Sequence, residues 1–147
     1  MSGTLYNTDI LRLAATIPHH ERLVSPMGSS ERRSPICGSR VTVDVDLGPD
    51  GRVAAVGLLV RACALGQASS SLLAAGILGR TPAELAAARD ALSDWLAAGQ
   101  GEAPDWPGVA IFAPALPHTA RHASIRLAFE AAAEAAAIAA AADRATG

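Results

Sequence analysis

Apolar side chains recur along this chain in two rhythms. Tyr6, Ile10, Leu13 and Ile17 follow one another at intervals of four, three and four, which gathers them on one face of a helix. A first helix over 4–17 is expected, closed by Pro18 with His19 and His20. Residues 18–36 carry Pro, Ser, Gly and the charged run Glu31-Arg32-Arg33; they read as a long connection, with room for a short edge strand before Cys37. The rhythm then changes. Val41, Val43, Val45 and Leu47 alternate with Thr42, Asp44 and Asp46, the period of a half-buried strand with one wet face. On that reading Asp44 and Asp46 are solvated charges. Gly48-Pro49-Asp50-Gly51 is a turn signal, and Arg52 to Arg61 follows as a second strand with Val56, Leu58 and Val60 in register. Two strands joined by a short turn form an antiparallel hairpin, which needs helices on its apolar face to be stable.

The helical rhythm returns from Gly66 to Leu78, ending near Gly79. Thr81-Pro82-Ala83-Glu84 then opens another helix: Thr81 can cap, Pro82 suits the first helical position and Glu84 can complete a capping box. Leu85, Leu92, Trp95 and Leu96 form its apolar face, and Gly99 is its expected stop. Residues 99–119 are rich in Gly and Pro and read as loop, with Trp106 as an anchor. A long, alanine-rich helix runs from about Ala120 to Arg144; it has high intrinsic helicity and little side-chain bulk, and its last turns are expected to fray. The order of elements predicts an α+β domain: a small antiparallel sheet of two to three strands packed against several helices, the last of them long. One domain spans 1–147, with a core over about 5–135 and an alanine-rich tail over 136–147.

Composition narrows what such a domain can do. The chain has 147 residues, 50% hydrophobic but only 3% aromatic, so its core is built from Ala, Leu, Val and Ile. Its formal charge is −2, and it lacks the basic stripe of a nucleic-acid binder. All 12 basic residues other than histidine are arginine. The absence of lysine excludes Schiff-base chemistry, a phosphate-loop lysine and a Ser-Lys dyad. No apolar run suits a membrane span or a signal peptide, so a soluble, cytoplasmic protein with reduced thiols is expected.

The two cysteines carry the candidate chemistry. Cys37 lies just before the first hairpin strand and Cys63 just after the second, and the turn at 48–51 lies midway between them. The start of one strand and the end of its partner share one end of a hairpin, so both thiols are expected at one rim of the sheet. Cys63 also precedes a helix N-terminus, where unpaired N–H groups favour negative charge, with Arg61 and Arg121 as further positive neighbours. Two cysteines without a Cys-x-x-Cys pair are a weak metal signal, and buried structural thiols remain an alternative. His122 and His118 can offer imidazole ligands or lie on the surface at a helix start. Ser69-Ser70-Ser71 has no partnered His or Asp and reads as helix packing rather than as a hydrolase site.

Several segments carry a family resemblance. Cys63-Ala64-Leu65-Gly66-Gln67-Ala68-Ser69-Ser70-Ser71-Leu72-Leu73 resembles the segment after the second ligand cysteine of the U-type iron–sulfur cluster scaffolds (IscU, SufU and the N-terminal domain of NifU). Ser34-Pro35-Ile36-Cys37-Gly38 is similar to that family's Pro-x-Cys-Gly-Asp motif, and the distance from Cys37 to Cys63 fits. Gly79-Arg80-Thr81 resembles its Gly-Lys-Ser/Thr segment, and Leu5-Tyr6 to Pro18 its first helix. The departures are as specific. Ser39 stands where the family has a ligand aspartate. Arg121-His122-Ala123-Ser124-Ile125-Arg126-Leu127 matches the start of the last helix with Ser124 in place of the third cysteine. Both are degenerate ligand positions, since a serine hydroxyl does not ionise near neutral pH. The Leu-Pro-Pro-Val-Lys signature of the IscU branch is absent, and the long spacing from Cys63 to Ser124 resembles SufU more closely.

The resemblance implies a non-enzymatic scaffold that receives sulfur from a cysteine desulfurase, transiently binds iron or an iron–sulfur cluster through Cys37 and Cys63, and passes it to acceptor apo-proteins. His122, a water or a second subunit would complete the coordination, with zinc as a possible alternative metal; a homodimer of two-cysteine sites would supply four thiolates. Two other readings stand beside it: a cluster-free partner that regulates the desulfurase, and a thiol redox protein closing a Cys37–Cys63 disulfide, which requires Cα atoms within about 7 Å.

Overall fold

The computed structural model describes residues 7–35 and 38–146. Tyr6, the first member of the amphipathic stripe, and Cys37 lie outside them. Helix α1 spans Thr8–Ala15; the Asn7 side chain caps it by accepting from the Ile10 N–H at 3.0 Å. Ile10 is buried, as the stripe requires.

Three antiparallel strands form one sheet in the order β1-β2-β3: β1 Gly28–Arg33, β2 Arg40–Leu47 and β3 Val53–Arg61. The edge strand expected within 18–36 is therefore present. The predicted turn joins β2 to β3, with the Gly48 N–H donating to the Arg52 carbonyl at 2.8 Å. Helix α2, Ala64–Gly76, leaves the end of β3, and α3 spans Pro82–Ala98. The α3 N-terminus carries the full capping box: the Glu84 N–H donates to Thr81 Oγ1 at 3.1 Å and the Thr81 N–H to Glu84 Oε1 at 2.8 Å. Gly99 ends α3 in the left-handed conformation, φ 70°, where a side chain would be strained. The 99–121 segment is loop with two short 3-10 turns, Val109–Ala115 and Thr119–Arg121. The indole N–H of Trp106 donates to the Leu72 carbonyl at 2.8 Å, and its ring meets Phe129 edge-on at 5.2 Å.

Helix α4, His122–Thr146, lies across β1 and β2. Its alanines do what bulk could not. Ala132, Ala135, Ala136 and Ala139 are buried, and the helix backbone sits so close to β1 that a Cβ on Gly28 would overlap the Ala135 carbonyl. Each small side chain removes roughly 0.8 kcal/mol worth of methyl-sized apolar surface from water, but the close approach also brings Val41, Val43 and Val45 under cover. The alanine-rich stretch beyond 135 stays helical as far as Thr146. No helix among the described residues is long and apolar enough to cross a membrane.

The second face of the sheet corrects one expectation. Asp44 is fully buried, not wet. Residues 18–27 run as a strap across that face and along the β3 edge. The His19 carbonyl accepts the Leu58 N–H at 2.9 Å, and His20 Nε2 accepts the Val60 N–H at 3.2 Å. A Cβ on Gly57 would collide with the Glu21 carbonyl, so only glycine admits the strap there. Arg22 then reaches Asp44 through Nε at 2.6 Å and Nη2 at 3.1 Å, while the Leu23 N–H (3.0 Å) and Ser29 hydroxyl (2.6 Å) also donate to the carboxylate. Burial pushes the Asp44 carboxyl up, but the hydrogen bonds from Arg22, Ser29 and Leu23 outweigh it and hold the group below its ordinary range. Asp46 is likewise engaged, accepting the Met27 N–H at 2.8 Å.

Candidate functional site

The site is built at the end of the sheet where β3 passes into α2. Arg40, the first residue of β2, pairs with Arg61, the last of β3. Two residues after Arg61 comes Cys63, the N-cap residue of α2, with φ −67° and ψ 172°. Its carbonyl accepts the Gln67 N–H at 2.9 Å, so its backbone starts the helix. Its side chain makes no capping hydrogen bond and is a free, half-buried thiol.

At the same end of the sheet, Ser34 and Pro35 leave β1 and Gly38 and Ser39 lead into β2. The Ser34 N–H donates to the Ser39 carbonyl at 2.8 Å, and the Gly38 N–H to the Ser34 carbonyl at 3.3 Å. Gly38 has φ 74°, a left-handed turn position that suits glycine. Ser39 is buried and immediately precedes Arg40, so it borders the same sheet end as Cys63. Cys37 precedes Gly38 in sequence but lies outside the described residues.

Helix α4 reaches the same region. Ser124, in its first turn, is buried; its Cβ lies 3.8 Å from where a Cβ on Gly66 would stand. Gly66 is in the first turn of α2, three residues after Cys63. The structure thus brings Ser124 against the helix turn that Cys63 caps. The contact is fixed one residue on, where the Ser69 hydroxyl donates to the Ile125 carbonyl at 2.6 Å. The other two serines of that run are also packing groups: Ser70 donates to the Gly66 carbonyl and Ser71 to that of Thr16.

His122 is buried, and its Nε2 lies 3.0 Å from the carbonyls of both Ala115 and Leu116. Two carbonyl acceptors require a proton on Nε2, so any metal would have to be met through Nδ1. His118, Arg61 and Arg121 are exposed. Among the described residues, no three of His, Cys, Asp and Glu gather as a metal set. Two cavities lie away from Cys63. One of about 260 Å³ is lined by Arg80, Glu84 and Trp106 among others; one of about 600 Å³ is lined by Arg12, Leu13 and Ile111 among others.

Sequence reasoning missed the Arg22–Asp44 pair that ties the strap to the sheet. The partners stand far apart in the chain and share no periodicity; the one available signal was Gly57, a glycine inside a strand pattern, which marks a close backbone approach.

A three-stranded antiparallel sheet backed by helices, with a half-buried thiol at the sheet-to-helix junction, defines a small α+β domain that presents a thiol at the end of its sheet. No family model matches the sequence, and no curated protein matches it. Solved structures do. The N-terminal region of a nitrogen-fixing NifU-like protein from Brucella abortus is 38% identical, with 93% of this chain and 95% of that chain covered and a TM-score of 0.87. An iron–sulfur cluster assembly scaffold protein for the SUF system from Fervidobacterium islandicum is 18% identical over 92% of this chain and 99% of that one, with a TM-score of 0.80, which shows a shared fold. The chain belongs to the U-type iron–sulfur cluster scaffold family.

Proposed function

We propose that this protein is a cytoplasmic scaffold, not an enzyme, on which iron and sulfur are gathered at Cys37 and Cys63 before transfer to acceptor apo-proteins. The observation that carries the reading is the position of Cys63 at the α2 N-cap, with Ser124 against the same helix turn. Sulfur would arrive on a cysteine desulfurase as a persulfide. The Cys63 thiolate attacks the outer sulfur, the donor's S–S bond breaks, the donor leaves as a thiolate, and Cys63 carries the persulfide. Thiolates then bind iron. Ser39 and Ser124 are weak ligands because their hydroxyls stay protonated. The remaining positions would be filled by His122 through Nδ1, by solvent, or by the cysteines of a second copy; zinc is an alternative occupant.

Anaerobic addition of ferrous iron and sulfide tests this. The wild-type protein should develop visible charge-transfer absorbance that Cys37→Ala or Cys63→Ala abolishes. A colourless wild type overturns the proposal.

The serines at two ligand positions favour a second reading, a cluster-free partner of the desulfurase. Under it, the protein captures a desulfurase equally well with and without both cysteines and purifies without metal.

A further inference from the structure

Residues opposite one another in an antiparallel sheet share a face. The register sets Arg33 opposite Arg40 and Arg40 opposite Arg61. Three arginines therefore form one lateral row, on strands about 4.8 Å apart. The row belongs to the face that carries Thr42 and Asp44, away from α4, at the sheet end that leads into Cys63. Arg33 and Arg61 are exposed and Arg40 is half-buried. Among the described residues one carboxylate answers them: Glu31, in the next row, accepts from Arg33 Nε at 2.7 Å and is held below its ordinary range chiefly by that bond, with Arg40 adding a weaker electrostatic pull. Among the described residues Arg61 forms no ion pair. Beside the row, Leu59 is 40% exposed in register with Thr42 on the same face.

Like charges set directly opposite one another destabilise a sheet. Here three stand side by side against one carboxylate, in a chain whose formal charge is −2, so the patch opposes the sign of the rest of the molecule. The strap neutralises Asp44, the one buried acid among the described residues of this face, with its own Arg22; its backbone crosses the face at Gly57, and along the β3 edge it reaches Val60 through His20 Nε2.

We propose that the Arg33–Arg40–Arg61 row, with Leu59 at its border, is a docking surface for an acidic segment of a partner protein, which it holds beside Cys63. Guanidinium groups in a row suit successive carboxylates of an extended chain, and Leu59 suits one apolar side chain among them. The surface would orient a partner that exchanges sulfur or iron at Cys63, and in that respect it rests on the scaffold reading.

The test uses metal-free full-length protein and a fluorescein-labelled peptide of alternating Glu and Leu, followed by fluorescence anisotropy. Binding should weaken as salt is raised. The double substitution Arg40→Gln/Arg61→Gln should weaken it by roughly tenfold or more, and Leu59→Ser by a smaller factor. The melting temperature should stay level or rise, because like-charge repulsion is relieved; Arg61→Gln alone, at the strand end, serves if the double variant is unstable. Cys63→Ala should leave peptide binding unchanged. Equal binding by wild type and the arginine variants overturns the proposal, as does full displacement of the peptide by inorganic phosphate or tighter binding of a single-stranded oligonucleotide. Iron–sulfide reconstitution on the same samples separates the two readings. Arginine-dependent peptide binding without colour removes the scaffold, whereas colour with arginine-insensitive peptide binding removes the docking surface.

Discussion

Replacing Asp44 with alanine should detach the strap from the sheet. The carboxylate is fully buried and receives four hydrogen bonds, two from Arg22 and one each from the Leu23 N–H and the Ser29 hydroxyl. Removing one member of a buried ion pair costs about 3–5 kcal/mol. Arg22 is half exposed, so water recovers its charge and the expected loss lies at the lower end, about 3 kcal/mol, dominated by the stranded main-chain and hydroxyl donors. For a domain of this size that is a fall of roughly 10 °C in melting temperature. Asp44→Asn, which keeps the shape and an acceptor, should lose less. The assay is urea unfolding of metal-free protein followed by far-UV circular dichroism. The acid limb provides a second check. Because the folded carboxyl titrates below its ordinary value, its contribution is complete above the unfolded pKa, near 4, and is lost as the pH falls through the lower folded value. The wild type should therefore lose stability on acidification below about pH 4, and Asp44→Ala should lose less over the same interval. A loss at neutral pH under about 1 kcal/mol would refute the reasoning, since it would mean that the buried donors find other partners at little cost.

Other outcomes are equally specific. Ser124→Cys places a thiol against the α2 turn that Cys63 caps and should raise zinc affinity roughly tenfold, equivalent to about 1.4 kcal/mol; competition with a chromophoric chelator reads it, and unchanged affinity would place residue 124 out of reach of the site. Gly57→Ala forces a methyl group into the strap's backbone and should cost about 1–3 kcal/mol in thermal or urea unfolding; a neutral result would mean that the strap yields freely. Thr81→Ala removes the side-chain half of the α3 capping box and should cost about 1 kcal/mol, measured the same way, with Thr81→Ser restoring most of it.

What the sequence disclosed was local. Thr81, Pro82, Glu84 and Gly99 announce both ends of α3 because every group in those caps lies within a few residues of its partner. The Val41–Leu47 alternation announces β2 for the same reason. Asp44 was misread because alternation reports which residues share a face, not whether something distant covers it; the cover comes from Arg22 and Leu23, across an irregular segment. The alanines of α4 read as weak packers because bulk is visible in a sequence and the helix-to-sheet distance is not; their value appears only when Gly28 is seen beneath Ala135. At the candidate site, the resemblance pointed to Cys63 and Ser124; the hairpin anticipates Cys63 at the sheet end, but the packing of Ser124 against the first turn of α2 depends on where α4 lies. The engagement of His122 with the carbonyls of Ala115 and Leu116 could not, since it depends on how the 3-10 turn before α4 folds back.

The strap along β3 also limits how this molecule can associate. Main-chain donors on the outer side of a border strand invite another strand to pair, which is how sheets extend from one molecule into the next. At Leu58 and Val60 those donors are already taken by His19 and His20, so the sheet ends at β3 by design of its own chain. Copies of this protein that meet must do so through side chains, or along β1, and a thiol site shared between two subunits would have to be assembled without a continuous intermolecular sheet on the β3 side.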